Sequence, residues 1–140
     1  MFRRQTKRAK RQKYHNKKVI VDGIEFDSKK ESKRYLVLKE AEDNGVISDL
    51  KLQVKYELIP SVKEKYIKHL KTKDKEMERT LQLAINYICD FQYTKDGIII
   101  VEDVKASPKV LPKEFVLKDK LMFWRYGIRI KKVYKEDEDI

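Results

Sequence analysis

The chain has 140 residues and a formal net charge of +11, with charged residues (41%) as frequent as hydrophobic ones (41%). That length provides one domain with a real core rather than two, and the basic balance favours a polyanionic partner over a small neutral one. Cys89 is the only cysteine, His15 and His69 are the only histidines, and no apolar run reaches spanning length. Internal disulfides, Cys-based zinc sites and histidine-rich metal sites are therefore excluded, and no membrane role or signal peptide is expected. The composition suits a reducing cytoplasm.

Residues 1–18 form a basic arm holding Arg3, Arg4, Lys7, Arg8, Lys10 and Arg11 without a single acid. Such a run reads as a solvated, flexible tail or as an arm that neutralises phosphates without reading bases; the two are compatible. Val19-Ile20-Val21 and Ile24-Glu25-Phe26 flank Asp22-Gly23, which predicts a hairpin with a two-residue turn. A helix follows from Ser28 to about Asn44, ended by Gly45, with Tyr35, Leu36, Leu38 and Ala41 as its apolar side. Glu31 heads the inward row Glu31, Tyr35, Leu38. The stretch Ser28-Lys29-Lys30-Glu31 also matches a capping box, and spacing alone leans to that capping role.

From Leu50 to Leu58 apolar and polar residues alternate, which predicts one half-buried strand ended by Pro60, with Gln53 on its polar face. Residues 61–83 are a charged insertion with weak periodicity, expected to be a mobile loop or flap, or a short charged helix. Then comes the stretch that organises the chain, Tyr87 to Lys105. Two apolar strands are expected there, joined by the turn Thr94-Lys95-Asp96-Gly97, with Asp90 embedded in the first. In the second strand, alternation puts Asp103 and Lys105 on one face and Glu102 and Val104 on the other. Pro112 opens a second helix whose apolar side is Phe115, Leu117, Leu121, Met122, Trp124 and Tyr126. Ile128 to Tyr134 is a last strand, and residues 135–140 are an acidic tail expected to fray.

The order hairpin, helix, strand, strand, strand, helix, strand predicts an α/β (α+β) domain over residues 19–134, with helices covering a mixed sheet and a parallel crossover before the last strand. Carboxylates at the end of an apolar strand are costly unless paired or bound to a metal. Glu31, Asp90 and Asp103 can converge on a hard cation, with Lys105 beside them to position a water or stabilise a phosphorane-like transition state. Glu102 is the alternative to Asp103 if the strand bulges; the pleat favours Asp103.

Taken together, the Asn16–Pro60 segment, YICDF, VEDVK and the Lys-rich second helix resemble the PD-(D/E)XK nuclease superfamily. Within it they are similar to small phage proteins grouped with Holliday-junction resolvases. The resemblance implies a restriction-endonuclease-like fold with Mg2+ or Mn2+ held by Glu31, Asp90, Asp103 and the Val104 main chain, and Lys105 as the motif lysine. It shifts Glu31 from cap to site and makes Gln53 a minor contact. It also implies DNA held by the basic arm, Lys118 and Lys120, a branched substrate, a homodimer and no small-molecule cofactor. Two positions depart from the pattern: Cys89 stands where a proline precedes the first Asp, and Ala106-Ser107 replaces a glycine after the lysine. The rival expectations are a non-catalytic nucleic-acid-binding protein and a nuclease of duplex or single-stranded ends.

Overall fold

The computed structural model describes residues 17–140, so Arg3, Arg4, Lys7, Arg8, Lys10 and Arg11 lie outside the described residues. Val19–Val21 (β1) and Ile24–Phe26 (β2) pair antiparallel. Asp22 and Gly23 between them both have positive φ, 52° and 74°, the turn whose twist matches its strands. Lys29–Asp43 forms α1, whose N-cap Ser28 is extended and accepts the Glu31 N–H at 3.1 Å. Its buried row is Ser32, Arg34, Tyr35, Leu38 and Ala41, while Leu36, expected inside, is on the outer side.

The alternating segment from Leu50 to Leu58 is two strands, not one. Ser48–Leu52 (β3) stops before Gln53, whose φ is +53°, and Lys55–Ile59 (β4) begins beyond it. The expected strand around Asp90 is likewise two, Ile85–Ile88 (β7) and Phe91–Lys95 (β8). Both breaks fall at one level, stitched by Gln53 N–H to Asp90 C=O (3.1 Å) and Cys89 N–H to Val54 C=O (3.0 Å). The bend has a use in packing. Phe91 and Tyr93 enter a core under α1, whereas Leu58, Tyr87 and Cys89 enter a second core under the other helix.

Residues 61–83 are neither a mobile loop nor a helix. They form a ribbon of two antiparallel strands, Val62–His69 (β5) and Asp74–Gln82 (β6). Hydrophobic alternation reports a buried face, and this ribbon is exposed almost throughout, so the sequence carried little of that signal.

Ile98–Val104 (β9) pairs antiparallel with β8 and parallel with Lys131–Val133 (β10), giving the mixed four-stranded order β10-β9-β8-β3. Lys113–Tyr126 (α2) makes the parallel crossover between β9 and β10, as the pattern predicted. The protein is thus a mixed α/β structure with its sheet between two cores. Tyr35, Leu38 and Ala41 of α1 pack on one side, and Phe115 and Met122 of α2 on the other. Two expectations need correcting. Leu117 and Trp124 of α2 are 57% and 77% exposed rather than buried. The acidic tail is docked rather than frayed, since Arg34 donates to the carbonyls of Glu136 and Glu138 and Ile140 packs against the first core. No helix among the described residues is long and apolar enough to cross a membrane.

Candidate active site

Asp103 lies near the end of β9 on the α2 side, 5% exposed. Its Oδ1 is 2.8 Å from the Lys105 ammonium, and its Oδ2 accepts from the Tyr87 hydroxyl at 2.7 Å. The ammonium sits 4.1 Å from the centre of the Phe115 ring, a cation–π contact that fixes it without using a carboxylate. From the α1 side, Lys30 Nζ donates to the Lys105 carbonyl at 3.0 Å.

Asp90 occupies the joint between β7 and β8. The last pair of β8 with β9 is Phe91 opposite Glu102, so the Val104 N–H has no strand partner on that side. Asp90 Oδ2 accepts it at 2.7 Å. In an extended strand the N–H and C=O of one residue leave by the same edge, so the Val104 carbonyl is also directed to the Asp90 side. Burial first, and then the neighbouring Asp103, push the Asp90 carboxyl up to about 8, eased by the Val104 N–H and raised further by Glu31. Glu31 itself is raised by burial, then by Asp27, with a smaller push from Asp103. These carboxylates therefore feel one another's charge.

The cap that spacing suggested is supplied by Ser28, whose Oγ accepts the Glu31 N–H, and the Glu31 carboxylate bonds back only to that hydroxyl, which donates to its Oε1 at 3.3 Å. Gln53 is exposed and touches Asp90 through its main chain only. Glu102 is not a substitute for Asp103. It points to the α1 face, fully buried, with Arg34 donating to both its oxygens (2.9 and 2.7 Å) and Tyr93 donating to Oε1 at 2.5 Å. Cys89 is buried and its thiol is pushed up to about 11 by that burial, which removes it as a nucleophile.

A groove of about 540 Å³ opens beside Asp103 and Lys105, walled by Lys55, Asn86, Tyr87, Phe115 and Lys118 among others. Lys118 reaches it while paired with Glu114 at 2.9 Å. Lys120 does not line it, since residues two apart on a helix face different ways. A separate hollow of about 760 Å³, lined by Leu58, Ile59, Pro60, Leu121, Trp124 and Arg125, holds no acid and shares no lining residue with this groove. Tyr87, Lys30 and Lys55 were missed by sequence reasoning. Only the neighbourhood of Lys30 to Glu31 offered a hint, because partnerships across strands leave no local mark.

Among the described residues, no group of three His, Cys, Asp or Glu side chains stands ready as a metal cage. The donor set nevertheless fits a magnesium-like ion. Such an ion keeps most of its waters and takes only one or two carboxylates from the protein. Each Asp103 oxygen has an acceptor site left after its one hydrogen bond or ion pair, and the mutual repulsion of Asp90, Asp103 and Glu31 is what a cation relieves.

Comparison with curated proteins finds no match, and comparison with solved structures finds none either. The profile of the family described as "Protein of unknown function (DUF1064)" matches residues 11–136, nearly the whole chain, and the protein belongs to that family.

Proposed function

We propose that the protein is a divalent-metal-dependent endonuclease of the PD-(D/E)XK type that hydrolyses phosphodiester bonds in DNA. The observation that carries this reading is the adjacency of Asp90 and Asp103 at the end of β9, with the Lys105 ammonium 2.8 Å from Asp103 and a lysine-walled groove in front. Asp90, Asp103 and the Val104 carbonyl would hold the ion, with Glu31 at the head of α1 as a further carboxylate. When bound, Mg2+ or Mn2+ lowers the pKa of a water and offsets charge building on the scissile phosphate.

The chain's own residues do the positioning. Tyr87 holds Asp103 through one oxygen, and Phe115 and Lys30 hold Lys105 from its side chain and its carbonyl. Lys105 then donates to the phosphate or to the attacking water, where preformed positive charge is worth most. Lys55 and Lys118 would hold flanking phosphates without reading bases, with the basic arm extending that contact. Branched DNA cut by a homodimer in the cytoplasm belongs to the same proposal, because paired cuts across a junction need a two-fold axis.

A second reading is a non-catalytic DNA-binding protein, favoured by one observation: Asp103 and Asp90 each satisfy protein donors already. One panel separates the two, comparing four-way junctions, flaps, linear duplex and single strands with and without magnesium. Nicking is expected only with the metal, strongest on the junction. Asp90→Asn or Asp103→Asn is expected to lower it about 10²–10³-fold, some 3–4 kcal/mol of barrier, with DNA binding kept. Failure of every substrate to be cut would leave the binding protein as the description.

A further inference from the structure

The β5–β6 ribbon stands apart in composition and exposure. All its residues except Glu64 and Met77 are exposed. It prolongs the β4–β7 ladder, from Ile59 opposite Ile85 to Val62 opposite Gln82, and that ladder walls the candidate groove with Lys55, Asn86, Tyr87 and Ile88. Eight residues at about 3.4 Å each make a ribbon roughly 27 Å long.

Its two faces treat charge differently. On one, Lys63, Lys65 and His69 each have an acid partner: Glu78 at 3.7 Å, Glu76 at 3.9 Å and Asp74 at 2.8 Å. On the other, Glu64 neutralises Arg79 at 2.7 Å, and the Arg79 guanidinium lies 5.3 Å from the Tyr66 ring centre. Beyond Tyr66 and Met77 on that face, Lys68 stands directly opposite Lys75. Neither has a carboxylate partner among the described residues, and Lys71 and Lys73 extend the positive charge into the turn. Like charges facing across a ladder destabilise it. A ribbon that served only itself would place an acid there, as its opposite face does three times.

We propose that this lysine face is a duplex-DNA contact, with the ribbon lying along a groove and Lys68, Lys75 and the turn lysines on backbone phosphates. Phosphates relieve the repulsion that the free ribbon tolerates, and the acidic face stays in water. The major groove of B-form DNA admits a two-stranded ribbon, whereas that of an RNA helix is too narrow and deep. The proposal rests on DNA being the substrate, and it adds how the duplex beside the cut is gripped.

The test compares Lys68→Gln/Lys75→Gln with Lys63→Gln/Lys65→Gln, which lose equal charge from opposite faces. Binding to linear duplex DNA, a four-way junction and duplex RNA is measured in EDTA across a salt series, so no cutting intervenes. The first pair is expected to weaken DNA binding about tenfold and to reduce the salt slope by about two, at roughly 0.9 per lost phosphate contact. The second pair is expected to stay within about twofold of the parent. Melting temperatures check folding, and the first variant should melt no lower than the parent, since a repulsion has been removed. Equal losses from both pairs, no loss from either, or the same loss on duplex RNA would overturn the proposal. A parent that binds in this manner yet cuts nothing refutes the nuclease reading and leaves the ribbon contact standing.

Discussion

Glu102 and Asp103 are neighbours on β9, and the pleat sends them to opposite faces with different surroundings. Glu102 is sealed at 0% exposure against an Arg34 side chain that is equally buried. The planar guanidinium meets both its oxygens, and Tyr93 takes a further lone pair. Asp103 is matched instead with a lysine whose side chain is 22% exposed beside an open groove. A rigid fork that uses up a carboxylate suits a structural pair, and a compact ammonium that leaves acceptor capacity free suits a reactive one. The strand supplies two acids in a row, but the partner's geometry and access to water separate their roles.

The contrast breaks most visibly at Glu102. Glu102→Ala strands a buried guanidinium and is expected to cost about 3–5 kcal/mol, read by urea denaturation. Arg34→Met/Glu102→Leu removes both charges together and should recover most of that loss, because a buried pair is often replaceable by apolar packing. If the single change costs under about 1 kcal/mol, the sealed pair is not what fixes α1 to the sheet.

Asp90 sharpens the other side. Its proton is held more tightly in the folded protein than in the unfolded chain, with the folded value raised to about 8. Between about pH 4 and 8 the native state therefore carries the extra proton. Stability should fall as pH rises through that window, by at most about 1.4 kcal/mol per pH unit without a divalent ion. Asp90→Asn, which can still accept the Val104 N–H, is expected to flatten that dependence. Magnesium should raise the melting temperature more at pH 8 than at pH 6, since an ion must displace the proton. An unchanged pH profile in Asp90→Asn would remove Asp90 from this account.

The smallest effect is expected at Lys131, 3.5 Å from Glu102 and about a third exposed. Arg34 already satisfies that carboxylate, so Lys131→Met should change stability by no more than about 0.5 kcal/mol in the same denaturation assay.

Turn and cap chemistry was legible residue by residue. Asp22-Gly23, Asp96-Gly97, Ser28, Gly45 and Gly127 act where the pattern put them, each adopting a backbone conformation that its own side chain, or lack of one, favours. The faces of Glu102, Asp103 and Lys105 followed from strand period alone. Less was legible where the chain bends. Gln53 takes a positive φ that glutamine does not advertise, and that bend lets one alternating run serve two cores. The outer half of α2 misled for a related reason. An apolar side predicts burial only if another element comes to cover it, and none does over Leu117 and Trp124 among the described residues.

By itself, then, the sequence determined where the two helices start and stop, the tight turns at Asp22-Gly23 and Asp96-Gly97, and which side of β9 each acid takes. These are backbone preferences of a few adjacent residues. Tertiary structure alone decided that Arg34 would cross 68 positions to seal Glu102, that Asp90 would stand at a strand joint bonded to Val104, and that residues 61–83 would pair as a ribbon. Those outcomes depend on which layers meet and which groups lose their water, and segments distant in the chain have to come together before either is fixed.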